Sequence, residues 1–192
     1  MIRLFTLLIL LIPACSRPNP STPISSRPTN WAQPLTYPGL PNLYKISPEL
    51  YRGAQPLEKG YSQLKILGIK TIVNLRSLHD EGGSIASEGL AYVRIPFEPW
   101  ENPENPEIIK FLKIATDLTR QPVFIHCQHG SDRTGVMCAV YRIIIQGWSK
   151  EEAVQEMKEG GFGFHFLIYE SYIDYVERLN VEAIKKAIKE YH

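Results

Sequence analysis

Cys127 and Arg133 enclose five residues in the run from Val123 to Gly135, Val-Phe-Ile-His-Cys-Gln-His-Gly-Ser-Asp-Arg-Thr-Gly. The run opens as a short apolar strand and closes at the start of an apolar helical stretch, so cysteine and arginine share the loop between them. Backbone N–H groups of a loop curled before a helix N-terminus point inward and form a nest for an anion, and the helix dipole adds to it. Arg133 brings a planar fork that holds two phosphate oxygens. The same positive field stabilises a thiolate at Cys127, and a thiolate is a strong nucleophile at moderate pH. The chemistry these residues suit is attack of sulfur on phosphorus with loss of an alcohol or phenol. Water then hydrolyses the cysteinyl-phosphate.

The neighbouring residues have expected parts in that chemistry. Gly130 and Gly135 permit close backbone approach. Gln128, His129, Gly130, Ser131 and Thr134 are the expected substrate contacts, and the Thr134 hydroxyl is suited to donate to the departing sulfur. His126 is expected to orient the loop by hydrogen bonding. The leaving oxygen needs a proton from an acid within reach. Asp132 is the expected donor, with Glu98, Glu101 and Glu104 held open as alternatives. Arg76 follows a strand on the expected site face and reads as a substrate contact, or, with Arg52, as a surface or structural partner of Asp80 or Glu81. His165 reads as a packed structural histidine, and Met137 and Cys138 as core. No metal-ligand spacing is present and no cofactor is implied.

The elements that must position this loop alternate between strand and helix. Leu43–Ile46 and Leu50–Arg52 read as short strands, Gly60–Leu67 as a helix and Lys70–Leu75 as a buried β-branched strand. A polar loop around Gly82 and Gly83 leads to an alternating strand at Leu90–Ile95. Pro96, Pro99, Pro103 and Pro106 make the next stretch a loop. Glu107–Leu118 has one apolar helical face, Val123–His126 is a strand, and Thr134–Gln146 is apolar on nearly all sides, as a central buried helix would be. Ser149 and Glu152 form a capping box for a helix ending at Gly160-Gly161. Phe166–Leu179 and Val181–Tyr191 close the chain as helices. This order predicts an α/β layer architecture.

The chain has 192 residues, 21 Lys plus Arg and 20 Asp plus Glu, for a formal net charge of +1. That balance gives no electrostatic footprint for nucleic acid or a polybasic membrane arm. An apolar fraction of 44% argues against disorder throughout, and 3 cysteines are too few for a disulfide scaffold. Residues 1–14 have the pattern of a signal peptide: Arg3, then an apolar run from Leu4 to Ile12 too short to span a bilayer as a helix. Residues 12–15 resemble a bacterial lipobox, which implies a lipid on Cys15 and an exported, envelope-anchored lipoprotein; plain secretion is the alternative. Residues 15–42, rich in Pro and Ser, read as an extended, poorly ordered tether. Trp31, Leu35 and Tyr37 can let its last part lie against a domain over 43–192.

The string HCQHGSDRTG resembles the signature H-C-x-x-G-x-x-R-[ST] of the cysteine-dependent protein tyrosine phosphatase superfamily. Upstream, Tyr51-Arg52-Gly53-Ala54-Gln55-Pro56, then Leu64-Lys65-x-Leu67-Gly68-Ile69-Lys70, then Val73-Asn74-Leu75-Arg76 resemble its compact dual-specificity branch, nearest to the bacterial members. The resemblance covers roughly residues 43–180. It implies a central, mainly parallel sheet flanked by helices, and hydrolysis of phosphate monoesters. Such relatives place an Asp in the loop before the loop-bearing strand, where this chain has FEPWENPENPE and no Asp. The run Ser131-Asp132-Arg133-Thr134 is similar to the W-D-R-T of myotubularin-type lipid phosphatases, whose Asp is assigned proton transfer. The variable positions Gln128, His129, Ser131 and Asp132 carry no lysine or arginine, which disfavours highly phosphorylated inositols. The expected substrate is a phosphotyrosine or phosphoserine protein or a small phosphorylated molecule; the alternative is a non-catalytic module that captures phosphorylated ligands at the envelope.

Overall fold

The computed structural model describes residues 27–190. Six strands form one sheet: β1 (Gln33–Pro34), β2 (Tyr44–Lys45), β3 (Leu50–Gly53), β4 (Thr71–Asn74), β5 (Ala91–Arg94) and β6 (Val123–His126). Their spatial order is β1-β2-β3-β6-β4-β5. β3, β6, β4 and β5 are parallel neighbours, and β1 and β2 add an antiparallel edge. Seven helices surround the sheet: α1 (Glu58–Ile66), α2 (Gly82–Ser87), α3 (Asn105–Thr116), α4 (Asp132–Ile144), α5 (Lys150–Glu159), α6 (Glu170–Glu177) and α7 (Val181–Glu190). The mainly parallel sheet flanked by helices is the α/β architecture that the alternating elements predict. Among the described residues, no helix is long and apolar enough to cross a membrane.

Alternation along the strands sorts side chains into two cores. Leu50, Val73, Val123 and Ile125 face one side and pack with α3 to α7. Tyr51, Ile72 and Phe124 face the other and pack with α1 and α2. A sheet covered on both faces explains why the central strands read as continuous β-branched and aromatic runs. The thirteen residues of α4 are all buried, as its apolar circumference requires. Ser149 and Glu152 make the predicted capping box on α5, at 3.1 and 2.9 Å.

Two stretches depart from the sequence reading. The polar loop around Gly82 and Gly83 holds the short helix α2, which uses Ile85 as its one buried anchor. The stretch 27–42, read as tether, is folded onto the domain. Pro34 sits in β1, an edge strand, where a missing N–H costs no ladder bond. Ala32 is 1% exposed, and its N–H donates to Glu156 Oε1 at 2.6 Å. Arg27 donates to the carbonyls of Ala32 at 2.7 Å and Gly160 at 2.9 Å. Leu40 joins the core beside α1, Leu35 and Tyr37 pack against it as the sequence reading allows, and prolines spaced through the segment reduce the entropy lost on docking. The expected signal peptide, Cys15 and the first part of the tether lie outside the described residues.

Glu156 also ties α5 to α4. Its two carboxylate oxygens accept from Arg142 Nε and Nη2 at 2.8 and 2.6 Å in a buried, bidentate pair. Removing one partner of such a pair strands the other charge away from water, which costs more than the pair contributes intact. Glu156→Ala is expected to lower unfolding free energy by about 3–5 kcal/mol in urea titration, and Arg142→Met with Glu156→Leu to recover most of that loss. A loss below about 1 kcal/mol for Glu156→Ala sinks this assignment.

Candidate active site

The loop between β6 and α4 lies at the C-terminal ends of the parallel strands. Five consecutive carbonyls of this loop are turned outward and held. Cys127 O is 3.1 Å from His126 Nδ1. Gln128 O accepts from the Gln55 backbone at 3.2 Å. His129 O accepts from Asn42 Nδ2 at 2.8 Å. Gly130 O and Ser131 O accept from Arg52 Nη2 at 2.8 and 3.3 Å. Carbonyls tied outward leave the intervening N–H groups facing inward, which is the geometry of an anion nest.

Gly130 sets the curl. Its φ is 71°, and a Cβ there would lie 2.3 Å from the Gly53 carbonyl carbon and oxygen. The loop therefore rests directly on the end of β3, with no room for a side chain between them. His126 is fully buried, and its Nε2 lies 3.3 Å from Glu81 Oε2.

A small pocket at the centre is lined by Pro99, Cys127, Gln128, His129, Asp132, Arg133 and Tyr169. Cys127 is 3% exposed. Arg133 donates through Nη1 to Leu75 O at 3.3 Å and Phe97 O at 3.1 Å, which braces one edge of the guanidinium and leaves Nε and Nη2 for phosphate oxygens. The Thr134 hydroxyl is buried and has no hydrogen-bond partner among the described residues. Tyr172 donates to Pro99 O at 2.8 Å and pins that wall. Burial, above all, holds its phenol well above the ordinary tyrosine value, so it remains a donor. Burial and then the Asp132 charge raise Tyr169 similarly, keeping a neutral ring at the mouth. Cys138, a free thiol on α4, is pushed up to about 11 by burial and is not a nucleophile at neutral pH.

The predicted residues fall into three groups. Cys127, Arg133, Asp132, Gln128 and His129 line the pocket. Gly130 shapes its floor, and Thr134 has a hydroxyl with no other use. Ser131 differs: its hydroxyl donates to Phe162 O at 2.7 Å, so the side chain fastens the loop after α5 to the start of α4. Among the alternative acids, Glu104 is the N-cap of α3 in a capping box with Glu107, Glu101 is exposed, and neither these nor Glu98 line the pocket.

Three residues depart from their sequence reading, and one was not singled out. Arg52 is 2% exposed and sits 3.7 Å from the Phe162 ring centre; it is neither a surface group nor a partner of Asp80 or Glu81. Arg76 instead meets Gln55 Oε1, while Arg94 is the partner of Asp80 at 3.6 Å. His165 is not packed away: its half-exposed ring pairs with Asp132, Nδ1 to Oδ2 at 3.1 Å. Asn42, at φ 53°, donates to His129 O and to Phe162 O at 2.8 and 2.9 Å. The single signal for it in sequence is an asparagine following Pro41 where the chain must turn, a residue type that tolerates the left-handed region.

A family model described as DSP-PTPase phosphatase fused to NAD+ kinase matches residues 44–173. The dual specificity protein phosphatase TpbA of Pseudomonas aeruginosa is 38% identical over 142 residues, which cover 72% of this chain and 62% of that protein. The chain thus spans less than two thirds of that relative's length. The inositol diphosphatase DSP5 of Arabidopsis thaliana is 25% identical over 132 residues, covering 62% of this chain and 61% of its own. The crystal structure of P. aeruginosa TpbA superposes with a TM-score of 0.74 at 32% identity, over 85% of this chain and 99% of that one. A cysteine-to-serine form of TpbA in complex with pTyr gives the same figures.

The Asn42 brace is testable by stability. Asn42→Gly keeps the left-handed backbone but loses both hydrogen bonds, an expected cost of about 1 kcal/mol in chemical denaturation. Asn42→Ala adds about 1–2 kcal/mol for a Cβ in that region. Equal stability of the two variants would show that the backbone conformation is unimportant.

Proposed function

We propose that this chain, which belongs to the DSP-PTPase phosphatase family, hydrolyses phosphate monoesters through a cysteinyl-phosphate intermediate. The observation that carries the reading is the inward nest from Cys127 to Ser131, closed by Arg133. The phosphate sits in the nest with Arg133 on two of its oxygens. The Cys127 thiolate attacks phosphorus, the S–P bond forms as the P–O bond to the leaving group breaks, and Asp132 protonates the departing oxygen. Water then attacks phosphorus, Asp132 takes its proton, and the S–P bond breaks with the Thr134 hydroxyl supporting the restored thiolate. Because the nest and Arg133 match a charge that moves onto the equatorial oxygens, their effect is greater in the transition state than in the ground state.

The substrates are phosphotyrosine or phosphoserine proteins, or small phosphorylated molecules. Pro99 and the neutral Tyr169 ring give the mouth an apolar, aromatic wall that suits an aryl ester, in line with the pTyr bound to TpbA. Gln128 and His129 at the rim supply no fixed cation, which favours a single phosphate over a cluster of them. The pattern at residues 12–15 supports export and anchoring at the envelope through a lipid on Cys15.

Phosphate release by the reduced protein is expected on aryl phosphates and phosphopeptides. Cys127→Ser should lower it by about a thousandfold or more, equivalent to about 4 kcal/mol of barrier, while still binding the substrate. Arg133→Lys should lose about a hundredfold, because an ammonium cannot replace the bidentate fork. A Cys127→Ser protein that binds phosphopeptides but matches an equally inactive parent would point to the capture module instead.

A further inference from the structure

Among the described residues, the Asp132 carboxylate is held by one residue from elsewhere in the chain. Its Oδ1 accepts from the His165 backbone N–H at 2.9 Å, and its carboxylate faces His165 Nδ1 at 3.1–3.2 Å. The His165 carbonyl accepts from the N–H groups of Ile168 and Tyr169 at 2.9 and 3.0 Å. His165 thus holds two pocket residues at once, the Asp132 carboxyl through its N–H and ring and the Tyr169 backbone through its carbonyl. The Asp132 side chain is 11% exposed and that of His165 51%. A buried carboxyl is in this way linked to solvent through an imidazole. His165 itself does not line the pocket, so any effect on the reacting atoms passes through Asp132.

We propose that His165 is the positioning residue for Asp132, holding its carboxyl against the leaving oxygen. This rests on the reading of the chain as a thiol phosphatase with Asp132 as its donor. A proton passes from Asp132 to the leaving oxygen as the P–O bond breaks. The attacking water returns one to Asp132 as the S–P bond breaks, so the cycle closes with no net proton gained by the protein. A fixed carboxyl matters because proton transfer demands hydrogen-bond reach and alignment at the moment of bond breaking.

The test uses the leaving group as the readout, in the full-length reduced protein. A nitrophenolate departs without help, whereas the phenol of a phosphotyrosine peptide needs a proton. His165→Ala is expected to lower kcat about tenfold or more on the phosphotyrosine peptide at unchanged KM, and less than about twofold on p-nitrophenyl phosphate. His165→Asn, whose amide can donate to the same carboxylate, should recover much of the loss, and thermal melting of both variants separates folding from chemistry. Asp132→Asn should show the same selectivity at larger size, and adding His165→Ala to it should slow it no further. Equal loss on both substrates for His165→Ala, losses that multiply in the double variant, or a selective Asp132→Asn beside an unaffected His165→Ala would each overturn the role of His165. Equal slowing of both substrates by Asp132→Asn would overturn the donor beneath it, and undiminished release by Cys127→Ser would overturn the phosphatase reading itself.

Discussion

A loop can point five consecutive N–H groups at an anion only if the carbonyls between them are satisfied somewhere else. That requirement organises the molecule. The donors to the carbonyls of residues 127–131 come from Asn42, Arg52, Gln55 and His126. They arise before β2, within β3, just after β3 and at the end of β6. No short peptide can assemble them. The parallel pairing of β3 with β6 brings Gly53 level with His126, and the loop that follows then has donors within reach.

The same scaffold sets the field at the pocket. Arg52 is buried with two carbonyls and an aromatic face as its partners, not a carboxylate. Its charge is solvated by dipoles and the Phe162 ring without being cancelled, so positive potential persists beneath the nest. Arg142, one element away, is neutralised by Glu156 and serves cohesion. Two buried arginines on similar backgrounds thus differ in purpose by whether an acid faces them. Burying a cation without an acid beside it is costly.

What could be seen in the sequence was whatever is encoded locally. The strand Val123–His126 has the bounds its β-branched run predicts, the α5 cap is a four-residue pattern, and the reactive loop reads directly because its members are contiguous. The residues that escaped the reading act across long separations. Arg52 and Asn42 reach the loop from 78 and 87 residues away, and His165 meets Asp132 across 33. Nothing near Arg52 distinguishes a brace from a surface group until β3 is placed beside β6. Prolines mark residues 27–42 as extended, and Leu35 and Tyr37 do lie against the domain; what composition could not show is the polar contacts of Arg27 and Glu156 that hold the segment beside them. The fold class was legible and the meeting of Cys127 and Arg133 in one loop was legible; the residues that brace that loop were not.

The contact between Gly130 and Gly53 bears on how such a protein can change over generations. Neither glycine has room for a side chain: a Cβ on Gly53 would meet the Phe124 ring at 2.9 Å, and one on Gly130 would enter the β3 backbone. The floor of the pocket is therefore frozen, since single substitutions there have no viable neighbours to drift through. Gln128 and His129, on the exposed rim, carry no such restriction. Descendants of this chain are free to alter the rim of the pocket long before they can alter its depth.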